Sequence, residues 1–193
     1  MNSKAAAILA NPQPCGHIVF PYTQDWQVAD AVCLFASAGL KTGAAVVLVV
    51  TETHCAQISD RLRAQGFDVA ALLASGQLIC EDAATLLSSF FFDGVIDESR
   101  FKKKIGEAIQ RARWGSGQKR EVRIFGEMVD LIWQPWPKAT ERLEELWNHV
   151  IEEHAVPLLC AYALGGSRPA ELPAALAHLH SHHLDRQPVI AGA

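Results

Sequence analysis

Ala44-Ala-Val-Val-Leu-Val-Val50, running into Thr51-Glu-Thr53, decides the fold. Seven apolar residues with no polar alternate read as a strand covered on both faces, which is how the inner strands of parallel sheets are built. Such a run is far too short to cross a bilayer, so no membrane partner is expected. Upstream, Gly16 to Tyr22 is β-rich, with Pro21 expected at an end or an edge because proline cannot donate to a ladder. Between the two runs Thr23 is expected to cap a helix through Leu40, with Val28, Val32 and Phe35 on one face. Gly39 is expected to stop that helix, and Lys41 and Gly43 to complete the turn.

Downstream the alternation continues. A helix from about His54 to Gln65 stops at Gly66, a short strand covers Gln77 to Glu81, and another helix runs through Phe90. Asp97 caps a helix with Phe101, Ile105, Ala108, Ile109 and Ala112 on one face and Lys102, Lys103, Lys104 and Arg111 outside. Arg120 to Phe125 alternates and passes through Gly126-Glu127-Met128 into a helix. Pro137 suits the first turn of the next helix, striped by Leu143, Leu146, Trp147, Val150 and Ile151. Val156 to Tyr162 is a further strand, followed by Gly165-Gly166 and a last helix with a His-rich end. Strands separated by helices mean right-handed crossovers. The fold class is therefore α/β, a three-layer sandwich with a mostly parallel sheet and helices on both faces. One domain is expected over 15–185, with 1–14 and 186–193 as loose, flexible tails.

Composition narrows the function classes. Half of the 193 residues are apolar and a fifth are charged, enough for a core. Lys and Arg number 17 against 21 Asp and Glu, a net charge of −4, a poor match to phosphate backbones, so direct nucleic-acid binding is not expected. Five cysteines, an odd number with no C-x-x-C pair, fit a reducing, cytoplasmic location better than a disulfide framework. Met1 to Ala10 has one Lys and a short apolar stretch, and Asn11-Pro-Gln-Pro14 follows too soon for a signal peptide. There is no G-x-x-x-x-G-K-[ST], G-x-G-x-x-G, G-x-S-x-G or H-E-x-x-H, so a nucleotide-dependent enzyme or hydrolase would lack its usual equipment.

Ligands of open parallel sheets bind beyond the carboxyl ends of strands. The first strand offers His17 near its start and Tyr22 at its exit, and the other strand ends offer Thr51-Glu52, Glu81-Asp82, Glu127, and Cys160 to Tyr162, all expected around one crevice lined also by Phe20 and Phe125. Glu127 is either a first-turn carboxylate favoured by its helix dipole or a ligand acceptor. His17 is a satisfied half-buried histidine or a functional one, and Tyr22 and Tyr162 line a pocket or simply end strands. Cys160, inside an apolar run, reads as a small hydrophobe. Trp133, Trp136 and Trp147 read as a packed corner of the core rather than a stacking platform. The His178-Leu-His180-Ser-His182-His183 run has metal-like spacing, but spacing alone makes no site, and no metal or other cofactor is expected.

His17-Ile-Val-Phe-Pro-Tyr22, Phe35-Ala-Ser-Ala-Gly-Leu-Lys-Thr-Gly43, Gly76-Gln-Leu78 with Asp82-Ala83, Phe101, Val122-Arg-Ile-Phe-Gly-Glu-Met-Val129, Leu143-Glu-Glu-Leu-Trp-Asn148 and Leu158-Leu-Cys-Ala-Tyr162 together resemble the MEDS sensory domain. The resemblance implies an α/β domain similar to the RecA-type core without its phosphate loop. It also implies a non-enzymatic module sensing a small organic molecule such as a hydrocarbon derivative. On that resemblance His17, Tyr22, Glu127, Glu144 and Tyr162 become the ligand-binding candidates, with Cys160 a distant addition and Trp147 securing its helix. The domain fills the chain, so the output is expected in trans, through a sensor kinase or a transcription regulator, with a homodimer possible. The rivals are a degenerate P-loop-type enzyme using Glu127 and His17, and an interaction scaffold with a vestigial pocket.

Overall fold

The computed structural model describes residues 1–115, 117–166, 169–172, 176, 179–180 and, for the backbone only, 182–183. Six strands form one parallel sheet in the order β3-β2-β6-β7-β1-β8: β1 His17–Tyr22, β2 Ala45–Val50, β3 Leu78–Asp82, β6 Val122–Gly126, β7 Leu158–Ala163 and the two-residue β8 His182–His183. β4 (Phe91–Phe92) and β5 (Val95–Ile96) make a separate antiparallel hairpin. Every residue of β2 is buried, as its unbroken apolar run requires of a strand held between β3 and β6. Pro21 stands opposite Tyr162 of β7, and β8 pairs only with Ile18 and Val19 on the other side of β1, so no ladder bond is demanded of the proline there.

Alternate residues of each strand serve two cores. Ile18, Phe20, Tyr22, Val46, Leu48, Val50, Phe125, Leu159 and Ala161 meet helices α1 (Ser3–Ala10), α2 (Asp25–Lys41), α3 (Glu52–Ala64) and α4 (Val69–Ala74) on one face. Val19, Val47, Val49, Ile124, Leu158, Cys160 and Tyr162 meet α5 (Ala83–Ser88), α6 (Glu98–Trp114), α7 (Met128–Ile132) and α8 (Pro137–His154) on the other. The three-layer α/β sandwich is as the alternation of the sequence requires. Trp147, fully buried, stands edge-on to Phe101 with centroids 5.2 Å apart and fixes α8 to α6.

Several local expectations are corrected. Residues 3–10, expected to be a loose tail, form α1: Asn2 caps it, Ala5 and Leu9 are buried, and Arg123 donates to the carbonyls of Leu9 and Ala10 at 3.5 and 3.1 Å. α2 starts beyond Gln24, not at Thr23, because Gln27 Oε1 accepts the N–H groups of both residues. Gly39 lies inside α2, where a Cβ would fall 2.7 Å from Arg123 Cδ. The turn belongs to Gly43, whose φ is +84°. α4 and the β4–β5 hairpin have no counterpart in the sequence reading. Trp133 is buried as expected, but Trp136 is 43% exposed and packs on Phe91. The tail 186–193 and most of the expected last helix lie outside the described residues.

Candidate functional site

The connection after β2 passes through α3 and α4 on one face toward β3, whereas the one after β6 passes through α7 and α8 on the other face toward β7. β2 and β6 are direct neighbours, with Val49 opposite Gly126. Chain leaving their carboxyl ends in opposite directions opens a crevice, the position where ligands bind in sheets of this kind.

Glu127, the first residue beyond β6, is at that point and 3% exposed. It holds the N-cap position of α7, but its side chain makes no capping bond. Instead one oxygen accepts the N–H of Thr51 at the end of β2, and the other bonds Nδ1 of His54 at 2.6 Å. The capping reading of Glu127 holds for its position only: it stands at the N-cap, while its carboxylate joins β6 to the turn that opens α3. Thr51 is the N-cap of α3 and places His54 in its first turn. The second ring nitrogen of His54 lies 4.0 Å from Asp25 of α2, and the ring meets Tyr22 edge-on with centroids 6.3 Å apart. The hydrogen bond to Glu127 raises the His54 pKa above 6.5, against the opposing effect of burial. Beside Thr51, a cleft of about 490 Å³ is lined by Val50, Glu52, Cys55, Ala56, Cys80, Glu81 and Asp82.

A second polar network is buried under the opposite face. Glu144 of α8, with no exposed surface, is 3.1 Å from Nε2 of His17 and 3.2 Å from Nε2 of His180, and it accepts the hydroxyl of Tyr162. Cys160 Sγ lies 3.4 Å from His17 Nε2 and 3.9 Å from Glu144 Oε2. One helical turn beyond Glu144, Asn148 bonds His17 Nδ1 at 2.8 Å and donates to the carbonyl of Leu179 at 3.0 Å. Burial alone would raise the Glu144 pKa, but the two imidazoles hold it well below the usual carboxylate range. Burial and the Glu144 charge push the Cys160 thiol and the Tyr162 phenol upward.

The sequence-derived residues thus fall into two groups. Tyr22 and Glu127 share the crevice network; His17, Glu144 and Tyr162, with Cys160, share the buried one. The single hollow between His17 and Glu127 is corrected. Strand alternation supplies the reason: His17 has the parity of Val19 and faces α8, whereas Tyr22 has the parity of Ile18 and Phe20 and faces α2. His54, Asn148 and Asp25 were missed. His54 follows the strand end Thr51-Glu52 by two residues, so starting α3 at Thr51 rather than His54 would have found it. His180 belonged to a run judged on spacing alone.

A family model described as MEDS, the methanogen/methylotroph, DcmR sensory domain, matches residues 16–183. The chain belongs to the MEDS family. That match takes in β1 through β8 and both polar networks, leaving α1 outside it. No curated protein matches the chain. As a MEDS domain it belongs to a family of sensory modules, and no helix among the described residues is long and apolar enough to cross a membrane.

Proposed function

We propose that this MEDS domain senses a small organic molecule at the carboxyl ends of β2, β3 and β6 and passes its state to a partner protein. The observation that carries this reading is Glu127: a buried carboxylate at the crossing of two oppositely directed connections, bonded to the turn that opens α3. The adjoining cleft supports it, since Val50, Cys55, Ala56 and Cys80 offer apolar walls and Glu52, Glu81 and Asp82 offer acceptors. Walls of that kind with carboxylate acceptors suit a short hydrocarbon chain bearing a hydroxyl or amine. A ligand that draws on Glu52 or Glu127 changes the hold of Glu127 on Thr51 and His54. The position of α3 then differs between the free and bound states, which is the differential contact signalling requires. A sensor kinase or a transcription regulator is the expected recipient.

Thermal unfolding against short alcohols, amines, ketones, halocarbons and short acids tests this. A compound present at a hundred times its dissociation constant stabilises by about 2.7 kcal/mol. The expected result is a shift with alcohols or amines that Glu127→Gln reduces. A flat response to the whole panel, or a shift unchanged in Glu127→Gln and Glu52→Gln alike, overturns the reading.

A further inference from the structure

The network beneath the other face gathers side chains of metal-ligand chemistry in one buried place. Two imidazole nitrogens and a carboxylate, from β1, His180 and α8, lie close together with the Cys160 thiol of β7 beside His17 and Glu144, and His17, Glu144 and Cys160 are each at most 1% exposed, His180 8%. We propose that His17, Glu144, Cys160 and His180 form a binding site for one divalent transition-metal ion, zinc by the chemistry of the donors.

Distances come first. A tetrahedral zinc with metal–donor lengths of roughly 2.0–2.3 Å separates its donors by about 3.3–3.8 Å. Here His17 Nε2 is 3.1 Å and Cys160 Sγ 3.9 Å from Oε2 of Glu144, His180 Nε2 is 3.2 Å from the other oxygen, Oε1, and His17 Nε2 is 3.4 Å from Cys160 Sγ. The ligand atoms of His17, Glu144 and His180 all lie within 4.8 Å of one another. His17, Glu144 and His180 thus make a three-ligand set, and the Cys160 thiol, beside two of them, is the fourth donor that the proposal adds.

Hydrogen-bond direction comes second. The carbonyl of Leu179 can only accept, so Asn148 turns its amide nitrogen to Leu179 and its oxygen to His17. Nδ1 of His17 therefore carries the proton, and Nε2 is the nitrogen that faces Glu144 and Cys160. That is the arrangement in which an outer partner orients a metal-bound imidazole. Nε2 and the Glu144 carboxylate, 3.1 Å apart, both present lone pairs in that tautomer, so a proton or a metal ion must stand between them. Tyr162 donates to the same carboxylate and so supplies a second outer partner. Imidazole, carboxylate and thiol together favour zinc over magnesium or calcium, which take oxygen donors.

The site is on the opposite face from the crevice, so either assignment can fail without the other. The full chain, stripped with a chelator and dialysed against zinc, is expected to retain one ion per chain and to unfold at a higher temperature. With Co²⁺ it is expected to show tetrahedral visible bands and a thiolate-to-cobalt charge-transfer band in the near ultraviolet. Cys160→Ser should remove that band, and His17→Gln, His180→Gln and Glu144→Gln should each weaken binding by at least about tenfold. A triple His178→Gln, His182→Gln, His183→Gln variant should bind as the wild type does. No stoichiometric zinc or cobalt in the wild type, an octahedral cobalt spectrum without the charge-transfer band, or binding lost in the triple variant overturns the proposal. The wild-type titration decides even if Glu144→Gln fails to fold.

Discussion

Glu127 turns its carboxylate away from its own helix and toward the turn that opens α3. Replacing it with Gln keeps the shape but weakens two buried bonds, and urea unfolding should show a loss of about 1–3 kcal/mol at neutral pH. The pH dependence has a definite sign. His54 has a folded-state pKa above 6.5, so its contribution is complete below pH 6.5 and fades as the pH rises through the folded value. Wild-type stability should therefore contain a component that declines upward from about pH 6.5, and Glu127→Gln should lack it; an unchanged slope would count against the pairing. Glu144 is the more sensitive residue, because its removal leaves buried His17, His180 and Tyr162 without the carboxylate they share. Glu144→Ala should cost about 3–5 kcal/mol in the same assay. At this scale the sequence was partly legible. A carboxylate in Ile-Phe-Gly-Glu stands out against apolar neighbours, whereas His54 and Asn148 acquire meaning only through partners 73 and 131 residues away.

Among the elements, α1 is tied to the sheet by one guanidinium. Arg123, half-buried in β6, donates to the last carbonyls of α1 and to Phe35 O at 3.1 Å, and sits over the Phe35 ring at 5.6 Å. An eight-residue helix is marginal alone, so α1 is held by this contact and by α2. Arg123→Met should release it: amide exchange of residues 3–10 should accelerate while that of β2 stays slow. Gly39 makes room for the same side chain. Alanine ordinarily favours a helix interior by up to about 1 kcal/mol, but at this position overpacking should dominate and Gly39→Ala should destabilise by about 1–3 kcal/mol in thermal or urea unfolding. The main strands and long helices were readable to within a few residues because their periodicity and caps are local. α1, α4 and the β4–β5 hairpin were not, since their short runs are stabilised by neighbours distant in sequence.

For the molecule as a whole, layer architecture followed from the alternation of strands and helices, but strand order did not. Pairing of β2 with both β3 and β6 is set by which helices fill which face, and no local pattern in the sequence encodes it. The division of the candidate residues between two networks was latent in strand parity, yet it became visible only once the helices were assigned to faces. The pairing of β1 with β7 carries a further consequence. β1 finds its long partner in β7, residues 158–163, so Ile18, Val19 and Phe20 have no neighbouring backbone until those residues join them. Contacts spanning so much of the chain are slow to form. A nascent polypeptide emerging from the ribosome must keep its first strand waiting through seven helices and three strands of the main sheet, and a stop at residue 157 should yield an aggregating product that proteases clear.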